Sequence, residues 1–331
     1  MTRNLFKHDS ISEFLEILAT FGEVHGPVLT DDGVSAFRPL GPGIDLRLDY
    51  SRTLVPPKKY LLPSRDTVLF FAPNVGYRQP TAAVPETILV GLHPCDLQGI
   101  AYLDKVFMGD GIDPLYRARR TALTLIGLSC EPDENCFCGD LSAAETHGCD
   151  LFMRRSPGGF HLRSNTPKGT AIMDRLTPIL AEGEPQPAVS RTCDMAAAIQ
   201  QASVRGETFR ESALWDEFAG RCLSCGACSH CCPTCYCFDI REYGDLDGET
   251  TMRLRVWDNC LFKDHGEVAG GFNFRKSRQE RFQYRYQHKY LGFGPTRGIV
   301  SCVGCGRCRV VCPVGIDLLG LFKESENVKR P

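Results

Sequence analysis

The residues of this chain best suited to chemistry are its cysteines. There are 18 among 331 residues, and six of them lie between Cys222 and Cys235. Two runs share the spacing C-x2-C-x2-C-x3-C followed by proline, and they start at Cys222 and Cys302. Thiolates at this spacing hold [4Fe–4S] clusters, and in two-cluster proteins the fourth cysteine of each run binds the cluster of the other run.

We therefore predict two [4Fe–4S] clusters in the C-terminal part of the chain. The ligands of the first are Cys222, Cys225, Cys228 and Cys312. The ligands of the second are Cys302, Cys305, Cys308 and Cys232. Zinc is the alternative, because zinc also binds paired cysteines, usually with histidine and with only four ligands per site. Two complete four-cysteine runs, each followed by proline, favour iron–sulfur clusters.

The elements that must position the other cysteines begin with three apolar runs, which predict buried strands. The runs span residues 68–72, 87–92 and 122–128. A helical pattern over 95–107 separates the last two, with Asp96 as its expected cap, and this strand–helix–strand order predicts a partly parallel sheet. Cys95 and Cys130 each follow one of these strands. Ligands bind beyond the carboxyl ends of neighbouring strands in open α/β sheets.

A third group of cysteines lies in loops after the predicted strands. It consists of Cys95, Cys130, Cys136 and Cys138. Four thiolates at one sheet edge can hold a third [4Fe–4S] cluster, which we predict here. A zinc site made by the same four residues is the main alternative, and buried thiols without a metal are another.

The remaining cysteines near the first run have no assigned partner. Cys235, Cys237 and Cys260 fit three interpretations: they line a cluster, bind zinc, or pack as small apolar residues. The sequence does not decide between these, and we favour packing around the cluster sulfurs.

A basic stretch, residues 275–289, carries six Lys or Arg residues and one Glu, interleaved with aromatics. This composition also fits a nucleic-acid surface. The predicted clusters are anionic, so we favour a cationic shell around them, or a docking face for an acidic partner.

The chain is expected to form two domains. We predict an α/β domain over 1–190, with the possible third cluster, and a ferredoxin-like domain over 205–331 that is α+β and mostly helical. Ser10 and Glu13 fit a capping box at the start of an N-terminal helix. A Pro-rich polar segment at 181–190 marks the linker.

Composition excludes several classes of function. Apolar residues make up 43% and charged residues 24%, which is typical of a globular protein, and a formal net charge of −2 does not favour nucleic acid as a partner. No apolar run is long enough to cross a bilayer, and the start lacks a secretory pattern, so we expect a cytoplasmic protein. No Gly-rich nucleotide motif occurs.

Several motifs together resemble a known family. They are "GLHPCDLQGIAYLDKVF", "YRARR", "SCEPDENCFCGD", "CPTCYCFDI", "RVWDNC", "AGGFNFR" and "CVGCGRCRVVCPVGID". In the same order, over roughly residues 60–331, they resemble the iron–sulfur β subunit of cytoplasmic NAD(P)-linked [NiFe] hydrogenases (sulfhydrogenases). They are equally similar to the iron–sulfur electron-transfer subunit of anaerobic sulfite reductase, which belongs to the same homologous group of 4Fe-4S dicluster proteins.

The resemblance implies an electron-transfer subunit without substrate chemistry of its own. It would relay single electrons between a flavin subunit that oxidises NAD(P)H and a catalytic [NiFe] hydrogenase subunit. The alternative is the same role in a siroheme sulfite reductase. Two other classes remain: a self-contained enzyme with an open iron site in the third cluster, and a zinc-rich structural or binding protein.

Overall fold

The structure is a computed structural model that describes most of the chain. The described residues are 3–41, 43–80, 83–138, 142–183, 214–246, 248–292, 294–299 and 301–317. The chain forms two compact units. The first unit comprises Met1–Leu61, Ala83–Glu134 and Asp140–Thr192, and the second comprises Leu62–Ala82, Asn135–Gly139 and Cys193–Pro331. The predicted inner domain limits, at 190 and 205, lie outside the described residues. Segments 62–82 and 135–139 group with the C-terminal part.

The secondary-structure elements are numbered here in chain order. The strands are β1 Arg3–Lys7, β2 Glu23–Leu29, β3 Ser35–Pro39, β4 Arg65–Ala72, β5 Gly76–Arg78, β6 Thr87–Leu92, β7 Leu123–Leu128, β8 Leu151–Ser156, β9 Gly159–Ser164, β10 Leu180–Glu182, β11 Phe238–Gly244 and β12 Thr251–Trp257. The α-helices are α1 Ile11–Ala19, α2 Pro94–Phe107, α3 Pro114–Ala122, α4 Ser142–His147, α5 Pro167–Leu176, α6 Leu214–Arg221, α7 Ala227–His230, α8 Arg278–Leu291 and α9 Arg307–Val310.

The first unit contains an eight-stranded mixed sheet in the order β10-β1-β9-β8-β7-β6-β2-β3. Strands β2, β6, β7 and β8 are parallel neighbours, and the remaining pairs are antiparallel. Both β6 and β7 are buried along their whole length, as expected of inner strands covered on both faces. The predicted strand–helix–strand order and partly parallel sheet are confirmed by β6, α2 and β7.

Alternate residues of the central strands form the core of the first unit. Ile88, Val90, Ile126 and Leu128 face the same side and pack in one cluster with Phe14 of α1 and Ile172 of α5. On the opposite face, a Cβ added to Gly127 would lie 3.0 Å from Leu97 of α2. Helices therefore cover both faces, as the α/β prediction requires.

Three local predictions need correction. The N-cap of α2 is His93, whereas Asp96 is buried in the first turn, because proline at the first position starts the helix one turn earlier. Ser10 occupies the N-cap of α1 but its side chain makes no cap hydrogen bond, so the predicted capping box is absent. Residues 68–72 do form part of a strand, β4, but it belongs to the sheet of the second unit.

The second unit combines an antiparallel sheet, in the order β11-β12-β4-β5, with short helices and turns. A buried ion pair between Arg255 of β12 and Asp66 of β4, 2.8 Å apart, joins two of its strands. The expectation of a mostly helical C-terminal domain is not confirmed, because this sheet accounts for much of the unit. Helix α8 begins with a capping box formed by Ser277 and Glu280, and it packs against α6.

No helix among the described residues is long and apolar enough to span a lipid bilayer.

Candidate iron–sulfur site

The two cysteine runs fold into matching turns within the second unit. Gly226 and Gly306 have φ angles of 77° and 72°, and each precedes a four-residue helix, α7 or α9, that carries the third cysteine of its run. The amide of Asn259, a fully buried residue, donates to the carbonyl of Gly226 at 2.7 Å. A Cβ at Gly226 would lie 2.4 Å from that amide nitrogen. Both the backbone angle and the close packing therefore require glycine in this turn.

One solvent-accessible cavity is lined by Cys308 of the second predicted set and by the four cysteines predicted to hold the first cluster. These four are Cys222, Cys225, Cys228 and Cys312. Apolar groups from Leu261, Tyr286 and Ile316 complete the lining. Cys312 comes from the second run and yet lies beside the first run; its role as the fourth ligand of the first cluster stays a prediction. Cys225 is the exposed thiol of this set, whereas Cys222 is buried.

The second predicted set also comes together. Burial raises the pKa of the Cys308 thiol, and the neighbouring thiols of Cys302, Cys305 and Cys232 raise it further. Interactions of this kind place the other three thiols near Cys308; that the four hold one cluster stays a prediction. Among the described residues, no set of three or more His, Cys, Asp or Glu side chains is arranged to hold a single metal ion.

Two buried cations lie beside these thiols. Arg285 and Lys289 of α8 are only 4% and 8% exposed, and within the described ranges neither is in ion-pair contact with a carboxylate. A buried charge without a counter-charge is strongly destabilising. The environment therefore fits an anionic group bound by the cysteines. Thiolate-ligated iron–sulfur clusters meet that requirement.

The same cations favour the thiolate form that metal binding needs. Burial raises the pKa of the Cys228 thiol, and the Arg285 guanidinium opposes that rise. Burial likewise raises the pKa of the Cys302 thiol, and the Lys289 ammonium opposes it. Each predicted cluster thus has at least one ligand next to a buried positive charge.

The third predicted group is divided between the two units. Cys95 and Cys130 belong to the first unit, where they follow β6 and β7, whereas Cys136 and Cys138 belong to the second. The segment around Phe137 packs on the turn of the second run, since its backbone N–H donates to the Gly304 carbonyl at 2.8 Å. The third cluster stays a prediction.

The cysteines without an assigned role lie close to the cations. The Cys235 sulfur lies 3.4 Å from Nη1 of Arg285 and 3.6 Å from Nζ of Lys289. A hydrogen bond from the Cys237 thiol lowers the pKa of the Cys260 thiol to about 6. The sequence predicted a role for the basic stretch 275–289 as a whole but did not single out Arg285 and Lys289 within it. Their spacing of four residues, the period of one helix face, was the available signal.

Comparisons with known proteins agree with this geometry. Residues 221–316 match the family model described as 4Fe-4S dicluster domain, which spans both cysteine runs. The chain is 33% identical over 329 residues to sulfhydrogenase 2 subunit beta of Pyrococcus furiosus, and the match covers 94% of this chain and 95% of that protein. This chain belongs to the sulfhydrogenase β-subunit family. No solved structure matches it.

Membership of the sulfhydrogenase β-subunit family accounts for the organisation of the second unit. The dicluster match begins at the end of α6 and ends at Ile316, so it includes α7, α8 and α9 together with β11 and β12. It also includes Asn259, Arg285 and Lys289. The first unit and the segments 62–82 and 135–139 lie outside the dicluster match, whereas the similarity to the P. furiosus protein covers 94% of the chain and so extends well beyond that match.

Proposed function

We propose that this chain is the electron-transfer subunit of a multi-subunit oxidoreductase. It relays single electrons between a flavin subunit that oxidises NAD(P)H and a catalytic [NiFe] hydrogenase subunit. The observation that supports this most is the convergence of Cys222, Cys225, Cys228 and Cys312 on one cavity, beside buried cations that call for an anionic occupant.

The residues of the chain have separable parts in this role. When bound, a [4Fe–4S] cluster accepts and releases one electron at a time. The cysteine thiolates hold the cluster, and Arg285 offsets its negative charge. Tyr286, Leu261 and Ile316 keep water away from the inner wall of the first cavity. Cys225 is the exposed residue of the first set, so electrons can enter or leave on that side.

The relative's name favours a hydrogenase over other terminal enzymes, because the P. furiosus protein is called a sulfhydrogenase subunit. A siroheme sulfite reductase is the second candidate, on the motif resemblance. We further propose a third [4Fe–4S] cluster at Cys95, Cys130, Cys136 and Cys138, and a cytoplasmic location, where the reducing environment keeps unligated thiols reduced.

The relay role predicts a strict dependence on a flavin partner. The full chain, purified without oxygen, should lose visible cluster absorbance when dithionite is added but not when NADH or NADPH is added alone. Adding the flavin subunit should make NAD(P)H effective. Reduction by NAD(P)H in flavin-free chain would contradict the proposal.

The terminal enzyme can be identified from the native complex. A tagged chain is isolated anaerobically from its own cells with its partners. Hydrogen-driven reduction of NAD(P)⁺ supports the hydrogenase, whereas sulfite-dependent oxidation of NAD(P)H supports the sulfite reductase.

A further inference from the structure

Helix α8 presents two columns of side chains to the cysteine runs. The cations Arg281, Arg285 and Lys289 follow one another at intervals of four residues, and so do the aromatics Phe282, Tyr286 and Tyr290. All six are buried, and the cations are 8%, 4% and 8% exposed. Residues four apart lie on one helix face, so the columns run side by side.

The three cations have different partners. Arg281 donates to the backbone carbonyls of Leu261, Arg275 and Lys276, which makes it a clamp for the loop before the helix. Arg285 donates to the Cys228 carbonyl at 2.8 Å and to the Ser229 hydroxyl. Arg285 therefore lies against the first run.

Lys289 lies where the two runs meet. Its ammonium donates to the Thr234 hydroxyl, which is 3.4 Å from the Cys232 sulfur. The same hydroxyl donates to the Ser301 carbonyl at 2.6 Å, directly before Cys302. The Thr234 hydroxyl therefore links the Lys289 ammonium to Cys232, the fourth predicted ligand of the second set. The same hydroxyl links it to the Ser301 carbonyl, which directly precedes the first predicted ligand, Cys302.

Electrostatic effects on the thiols follow the same division. Burial lowers the pKa of the Lys289 ammonium. The neighbouring thiols of Cys232, Cys235 and Cys302 outweigh that effect, so the pKa is raised overall. Two of these thiols, Cys232 and Cys302, are predicted ligands, and both belong to the second set. Arg285, by contrast, contacts the first run, through its hydrogen bonds to the Cys228 carbonyl and the Ser229 hydroxyl.

We propose that Lys289 selectively raises the reduction potential of the cluster held by Cys232, Cys302, Cys305 and Cys308, whereas Arg285 acts on the cluster held by Cys222, Cys225, Cys228 and Cys312. This inference rests on the proposed relay function. One-electron reduction adds one negative charge to the site, and a fixed positive charge in a low-dielectric interior stabilises that charge strongly. Lys289 acts on the cluster through its charge and does not bind it.

The test is a mediated redox titration of the full anaerobic chain, followed by EPR of the reduced clusters. Lys289→Met should lower the midpoint potential of one signal and move the other less. Lys289→Gln should do the same, and Lys289→Arg, which keeps the charge, should stay near the wild-type value. Arg285→Gln should mainly lower the midpoint of the other signal. Iron content is measured in every sample.

Lys276→Met is the matched control, because Lys276 is exposed and lies two residues before the same helix. Its midpoints should equal those of the wild type. The inference is overturned if Lys289→Met and Lys289→Gln keep their iron with unmoved midpoints, or if both midpoints fall equally. Iron loss in all three Lys289 variants would also overturn it, since Lys289 would then be needed for folding rather than for its charge. A wild-type chain without two cluster signals would instead overturn the proposed function itself.

Discussion

Cys225 differs from its partners in the first predicted set because its thiol is exposed while Cys222 is buried. Exposure suits a ligand near the route by which electrons leave or enter. It also means that removing this side chain leaves no buried cavity, so the effect of a substitution on stability comes mainly from the lost metal bond.

Replacing Cys225 with Ala should remove the first cluster. We expect about four iron atoms fewer per chain, with a matching loss of sulfide. The second unit should also lose much of its stability, because metal binding contributes directly to folding there. Iron analysis and circular dichroism measure both effects. Cys149→Ala, at a buried thiol of the first unit outside every predicted set, should keep its full iron content. A Cys225→Ala protein with full iron would refute the assignment.

A pair of substitutions tests the third predicted cluster. Cys130 is assigned to the first unit and Cys136 to the second. If both bind one cluster, Cys130→Ala and Cys136→Ala should each lower iron by about four atoms. Loss of iron in Cys136→Ala alone would point instead to damage at the neighbouring second run, and unchanged iron in both would make these thiols structural.

At the scale of elements, the segment around Phe137 depends on a close approach to the second cysteine run. Gly304 has a φ of 64°, and a Cβ there would lie 2.5 Å from the Cys138 nitrogen and from the Phe137 carbonyl oxygen. Gly315, further along the chain, has a similar φ of 62°, but a Cβ built there would have nothing within 4 Å. The two glycines share a backbone requirement and differ in packing.

Comparing these two glycines separates backbone strain from steric overlap. Gly315→Ala should cost about 1–2 kcal/mol, the penalty of the left-handed region. Gly304→Ala should cost about 1–3 kcal/mol more, because the methyl group displaces the segment around Phe137. Thermal denaturation of anaerobic protein at one fixed scan rate should rank wild type, Gly315→Ala and Gly304→Ala in falling order. Equal losses of stability in the two variants would show that the segment around Phe137 moves at little energetic cost to make room for the methyl group.

The sequence predicted those elements whose signal is local. The apolar run of β6 and the helical pattern of α2 were correct because buried strands and amphipathic helices are encoded in consecutive residues. The placement of β4 was wrong because its pairing partner, β12, lies far along the chain and no local pattern records it. The same limit hid the contact between Thr234 and Ser301, which joins the two cysteine runs through one hydroxyl.

At the scale of the whole molecule, metal content decides how far the relay extends. Three clusters would add a centre at Cys95, Cys130, Cys136 and Cys138 to the two of the dicluster region. Two clusters would confine electron transfer to the second unit and leave the eight-stranded sheet of the first unit to pack and to bind partners. Cysteine count alone does not separate these cases, since zinc can also occupy four thiolates.

We expect about twelve iron atoms per chain, with equal sulfide and no zinc, in protein purified without oxygen. Iron and zinc are measured by mass spectrometry and sulfide by its acid release, on wild type and on Cys130→Ala in parallel. About eight irons without zinc in the wild type would restrict the relay to the dicluster region. About eight irons with one zinc that disappears in Cys130→Ala would make the third group a zinc site, whose metal cannot carry electrons because zinc has no redox chemistry in proteins. Only the first result adds a third electron-carrying centre to the two of the dicluster region.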